Sequence, residues 1–123
     1  MKIISTNKAP AAIGPYSQAV ITGNMLYTSG QIAIDPETAN VVEGGIVEQT
    51  EQIMKNLGEI LKAAGVDFKA AVKTTCFLAD IKDFAAFNEV YGKYFTGKPA
   101  RSCVAVKDLP KGVLAEVEVI AEL

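Results

Sequence analysis

Arg101 and Cys103 stand on one face of the run PARSCVAVKDLP (residues 99 to 110) when it is read as a strand with a period of two. Ala105 shares that face, and Ser102, Val104 and Val106 take the other. A guanidinium in so apolar a strand has two readings. It is either an interface cation paired to a carboxylate, or a receptor whose planar fork grips the carboxylate of a ligand through two parallel hydrogen bonds. A second candidate lies in LAEVEVIAEL, where Val117, Val119, Ala121 and Leu123 form a uniformly apolar face and Glu116, Glu118, Ile120 and Glu122 the opposite one. Such a stripe ordinarily faces water. Covered by another surface, one of these carboxylates would be desolvated, its pKa raised, and able to exchange protons near neutrality.

The chain has no histidine, so the commonest general base near pH 7 is missing. A nucleophilic Cys103 would have only Arg101 to activate it, and a structural thiol is the better reading. Without histidine or C-x-x-C spacing a zinc site has no support, and no P-loop or dinucleotide glycine pattern follows any strand. Cys76 and Cys103 read as free thiols of a reducing compartment. Tyr16 in GPYSQ, Ser29 in TSGQ and Asn88 in FNEVY are single polar groups near element ends, each by itself readable as a turn, cap or rim residue.

These groups must be positioned by a small number of elements. The 123 residues suit one domain spanning 1–123. Half of them are apolar and a fifth charged, which fits a globular chain, and a net charge of −2 supplies no field that would draw in nucleic acid or anionic lipid. No signal-peptide core or long apolar span is visible, and the expected location is the cytoplasm.

Extended structure is expected at KIIS, QAVIT and MLYTSGQI, with Gly23-Asn24 as a hairpin turn. Ile46, Ile53, Leu57, Ile60, Leu61 and Ala64 recur at helical spacing, with Met54 beside them and Gly65 as the C′ residue. AAVKTTCFLAD reads as a strand. A second helix from about Asp80 or Asp83 carries Phe84, Phe87, Val90, Tyr91, Tyr94 and Phe95, and two further strands cover 100–106 and 115–122. This order predicts an α+β fold, a mixed sheet with two helices packed on one face. In the central strand Val72, Thr74, Cys76 and Leu78 oppose Ala71, Lys73, Thr75 and Phe77, and neither set is mainly charged. Two helices cannot cover both faces, so the uncovered face is expected to meet other copies of the chain, with sites between subunits.

APAAIGPYSQAV, LYTSGQI, VKTTCFLADIKDFAAFNEVYGKYF, PARSCVAVKDLP and AEVEVIAEL together resemble, in order and spacing, the Rid family of reactive-intermediate deaminases. The similarity runs nearly end to end, and is greatest to the 2-iminobutanoate/2-iminopropanoate deaminases, in which an R-S-C strand precedes a glutamate thirteen residues beyond the cysteine, as Cys103 precedes Glu116. The resemblance implies a chorismate-mutase-like fold and a homotrimer with a cleft at each interface. It also implies cofactor-free hydrolysis of 2-imino acids, released by pyridoxal-phosphate dehydratases, to 2-keto acids and ammonia.

It implies roles as well. Arg101 would clamp the substrate carboxylate, and Glu116 would exchange protons with the attacking water and the leaving nitrogen. The backbone carbonyl of Cys103 and the phenol of Tyr16 would hold the water or the imine nitrogen, and Ser29, Gly30 and Asn88 would line the pocket. A shorter approach to the R-S-C strand, TGKPARSC, would shape the rim of the cleft.

Two other classes remain open at this stage. A trimeric small-carboxylate-binding or regulatory protein would need Arg101 but has no use for Glu116. An RNA-cleaving activity, also attached to the family, is opposed by an acidic chain with no histidine and no basic, aromatic-studded groove.

Overall fold

The computed structural model describes residues 1–123. Six strands form one sheet in the order β1-β2-β3-β6-β4-β5. They are β1 (Lys2–Ile4), β2 (Ala19–Thr22), β3 (Met25–Thr28), β4 (Ala71–Leu78), β5 (Ala100–Ala105) and β6 (Ala115–Glu122). All neighbours are antiparallel except β4 and β5, which are parallel. A parallel pair needs a crossover, and the helix α2 (Phe84–Tyr94) supplies it. The β2–β3 hairpin turns at Gly23, whose φ of +58° is the left-handed conformation a two-residue loop requires at its first position.

The longer helix, α1 (Ile46–Ala63), ends where its apolar periodicity ends, with Gly65 at φ +85°. At its start the carboxylate of Glu48 accepts from the Gly45 N–H at 2.8 Å. Ile53, Met54, Leu57, Ile60 and Leu61 of α1, and Phe87, Val90 and Tyr91 of α2, pack with Cys76, Leu78, Val117 and Val119 of the sheet into one core. Both helices therefore lie on the same face. No helix is long and apolar enough to cross a membrane.

Alternation along β6 is regular, with Ala115, Val117, Val119 and Ala121 buried and Glu116, Glu118, Ile120 and Glu122 on the open side. In β4 it is broken. A register shift between Ala71 and Lys73 bulges the strand, so Val72 is 46 % exposed instead of joining Thr74, Cys76 and Leu78 in the core. The open face carries Ile3, Tyr27, Phe77, Val104 and Ile120 in neighbouring strands, an apolar set with the three β6 glutamates among it.

Three buried amides, which hydrophobic periodicity does not reveal, fasten the loops. Gln18 accepts from the Thr6 N–H at 2.7 Å and donates to the carbonyls of Thr6 and Pro10. Asn56 donates to the carbonyls of Ile32 and Ile34, and Gln49 accepts from the Leu114 N–H at 2.8 Å. No buried side-chain nitrogen or oxygen lacks a partner, as a rigid frame requires.

Candidate active site

Glu116 stands on the open face of β6, the central strand flanked by β3 and β4. Just beyond β3 the chain passes beside it. Gln31 and Val117 exchange backbone hydrogen bonds of 2.8 and 3.1 Å, an isolated bridge that presses Gly30 against the Glu116 side chain. A Cβ on Gly30 would stand 2.8 Å from Glu116 Cδ and 3.0 Å from Cγ, so only glycine leaves the carboxylate where it is. Ser29 is fixed too, its N–H donating to the Gln18 carbonyl at 2.8 Å and its hydroxyl to the Ser17 carbonyl.

Tyr16, 53 % exposed, completes one wall of a cleft of about 610 Å³ lined by Ser29, Gly30, Glu116, Ile13 and Lys111. Burial, and secondarily the neighbouring Glu118, pushes the Glu116 carboxyl above its ordinary pKa. Gly30→Ala is expected to displace Glu116 and lower turnover roughly tenfold to a hundredfold, since a misplacement near 1 Å costs on that order. Its thermal midpoint should stay close to that of the parent, because φ at Gly30 is not left-handed. Steady-state kinetics beside a thermal melt checks both halves.

Arg101 lies elsewhere. It occupies the helix-side face of the edge strand β5, in register with Thr74 of β4. Three residues of α2 at spacings of four and three receive it: Phe84, Asn88 and Tyr91. Its Cζ lies 5.4 Å from the Phe84 ring centroid and 4.8 Å from that of Tyr91, and Nη1 donates to Asn88 Oδ1. The single ion pair of the chain joins Lys82 to exposed Asp80, so Arg101 keeps an unneutralised charge. A hollow of about 630 Å³ opens beside it, lined by Asn88, Tyr91, Lys98 and Pro99.

The seven residues singled out in the sequence thus form two groups on opposite faces of one sheet. Tyr16, Ser29, Gly30 and Glu116 make the first, and Arg101, Asn88 and Cys103 the second. Within one chain Asn88 lies beside Arg101, apart from Ser29 and Gly30, because it projects from α2 toward β5. Within one chain Arg101 meets neither Glu116 nor Glu118.

Cys103 is opposite Cys76 in the parallel β4–β5 register, and both thiols are free. Burial raises the Cys103 pKa against the pull of Arg101 and pushes Cys76 up to about 12. A thiol held protonated is a poor nucleophile. Cys103→Ser is therefore expected to keep much of the activity. A loss beyond about a hundredfold, ~2.7 kcal/mol, would contradict a role confined to its backbone.

Helical spacing alone assigns Tyr91 and Phe84 to the core, and it gives Thr74 no part in the site. A signal is nevertheless present: Phe84 and Tyr91 stand four before and three after Asn88, on one stripe of the helix, and the chain's single arginine lies in the strand that follows.

Comparison with known proteins matches this architecture throughout. The family model described as endoribonuclease L-PSP matches residues 6–123. The chain is 56 % identical over 121 residues to the mouse protein named 2-iminobutanoate/2-iminopropanoate deaminase, covering 98 % of this chain and 90 % of that one. RidA from the Antarctic bacterium Psychrobacter sp. superposes with a TM-score of 0.95 at 44 % identity, with both chains covered completely. E. coli TdcF, whose crystal structure holds bound serine, superposes at 0.94 with 42 % identity, covering 100 % of this chain and 99 % of that one. By sequence along nearly its full length and by fold, the chain belongs to the endoribonuclease L-PSP family, which is the Rid family.

Proposed function

We propose that this chain is an imine deaminase, hydrolysing 2-iminopropanoate and 2-iminobutanoate to 2-keto acids and ammonia. The observation that carries the reading is a pair of ionisable groups that enter no ion pair within the chain: Arg101, cationic and held by aromatic rings and an amide, and Glu116, partly desolvated on the open face. A carboxylate-binding protein needs the first and has no use for the second. The name of the mouse relative, and the amino acid held by E. coli TdcF, point to the same class of small carboxylate.

Because the two groups occupy opposite faces of the sheet, the reading requires them to meet between copies. The cleft beside Glu116 in one subunit would receive the β5 edge of its neighbour, with the apolar open face buried around the axis of a cytoplasmic homotrimer. Residues 1–123 act in this account as one Rid-type unit.

The chemistry follows from the substrate. A protonated 2-imino acid places a carboxylate next to an electrophilic C=N carbon, so a forked clamp on the carboxylate fixes the reacting carbon. Water held by Tyr16 and the Cys103 carbonyl attacks that carbon. The new C–O bond forms as the C=N π pair moves to nitrogen, and the proton of the water goes to Glu116. Glu116 returns the proton to the amino group of the resulting carbinolamine. The C–N bond breaks, the hydroxyl oxygen becomes the ketone and its proton leaves with ammonia as ammonium. Attack on an iminium is easy beside amide hydrolysis, so positioning and proton exchange suffice where histidine is missing. Ser29, Gly30 and Asn88 line the pocket around the carboxylate and short alkyl group.

A threonine or serine dehydratase generating the imine, with semicarbazide trapping what survives, tests the reading. Added protein should speed keto-acid release and suppress trapping. A folded trimer without effect would refute the deaminase and favour a ligand-binding trimer.

A further inference from the structure

We infer that Tyr91, fixed through its hydroxyl by Thr74, is a positioning residue that sets the Arg101 guanidinium for the substrate carboxylate. The inference rests on the deaminase reading for its substrate and on separate geometry for its substance. Thr74 and Arg101 are register partners on adjacent parallel strands. The Thr74 hydroxyl and the Tyr91 hydroxyl are 2.7 Å apart, in a buried hydrogen bond. The strand neighbour of the arginine therefore anchors the ring that carries it.

That ring has little freedom. Tyr91 is 7 % exposed and stacks on Phe95 with centroids 4.5 Å apart and planes at 26°. Against it lies the guanidinium, 4.8 Å from the centroid, with Phe84 at 5.4 Å and one N–H taken by Asn88. A planar fork held by an aromatic ring and one amide has its orientation set, while its remaining N–H groups stay available.

The choice of residue type is informative. A carboxylate in the place of Tyr91 would hold Arg101 equally well, but it would neutralise the charge and compete with the substrate for the same donors. An aromatic ring attracts the cation through its quadrupole without cancelling it. The hydroxyl of Tyr91 is spent on Thr74 and makes no claim on the substrate, so Tyr91 acts through Arg101.

Tyr91→Leu, which removes the ring and keeps apolar bulk, is the direct test. Two readouts are needed: KM and kcat with dehydratase-generated imine, and calorimetric binding of 2-oxobutanoate, the keto-acid product. Tyr91→Leu is expected to raise KM about tenfold, with kcat within about threefold of the parent, and to weaken 2-oxobutanoate binding by a similar factor. A purely structural role would lower the active fraction, and with it kcat, and leave KM and affinity alone. Tyr91→Phe and Thr74→Val keep the ring but release its anchor, and each should raise KM about two- to fivefold.

Unchanged KM and affinity in folded Tyr91→Leu overturn the inference. Should that variant not fold, unchanged KM and affinity in both milder variants overturn it. If the parent protein hydrolyses no imine but binds 2-oxobutanoate, and Tyr91→Leu weakens that binding, the deaminase reading fails and the positioning role stands.

Discussion

Arg101→Ala is expected to lower kcat/KM for 2-iminobutanoate by about a thousandfold, ~4 kcal/mol of transition-state binding. The size follows from what the guanidinium supplies. It is a cation seated over the α2 aromatics without a competing carboxylate, and it orients as well as attracts. Most of the loss should fall on KM and on keto-acid affinity, since the clamp acts on a carboxylate present in both the ground and the transition state. Arg101→Lys restores the charge but not the planar fork, and a point charge on a flexible stem would not match the ring of Tyr91 or the amide of Asn88. Recovery of no more than about a tenth of parental kcat/KM is expected. Full activity in Arg101→Lys would show that the fork is irrelevant.

Glu116→Gln should act on the other kinetic parameter. Loss of a proton-transfer group costs roughly a hundredfold to ten-thousandfold, and here it should appear in kcat with KM nearly unchanged. The pH dependence has a definite sign. Burial, then the proximity of Glu118, disfavours ionised Glu116 and raises its pKa. The acid limb of kcat/KM should therefore lie above the ordinary carboxylate range, and Glu118→Gln should move it to lower pH by removing the second cause.

The stability consequence runs in the same direction. Between the unfolded and the raised folded pKa the native state holds more protons, so the contribution of Glu116 to stability falls as pH rises through that window. Glu116→Gln should gain stability above the window and not below it. A rate profile and thermal melts across about pH 4 to 8 give both answers, and an acid limb unmoved in Glu118→Gln would remove the electrostatic coupling.

Much of the frame is legible in the order of the amino acids. The periodicity of α1 and its stop at Gly65 come from apolar spacing and one left-handed residue, both local properties. The open face follows from area: two helices cover one side of six strands.

What the chain order does not disclose is whatever depends on registration between distant segments. The bulge that turns Val72 outward arises in the pairing of β4 with β6, and a period of two read along β4 cannot reveal it. Gln18, Gln49 and Asn56 sit in periodic stretches as polar exceptions, and their meaning lies in backbone groups up to 65 residues away. Tyr91 looks like a core aromatic because it is one; its second role exists only because β5 brings an arginine to the same place. The division of the candidate site follows the same rule. Arg101 and Glu116 are each visible as a charge in an apolar strand, but which faces they take depends on strand order and register.

That division makes the central claim testable in one experiment. Arg101→Ala and Glu116→Ala chains, each inactive alone, would be co-expressed with different tags, and the doubly tagged assemblies isolated and assayed for keto-acid release. If each site joins Arg101 of one subunit to Glu116 of the next around a ring, a mixed trimer rebuilds an intact pair in about a third of its sites, and activity near that fraction of the parent should return. Mixed assemblies that stay as inactive as either variant would contradict a site shared between copies.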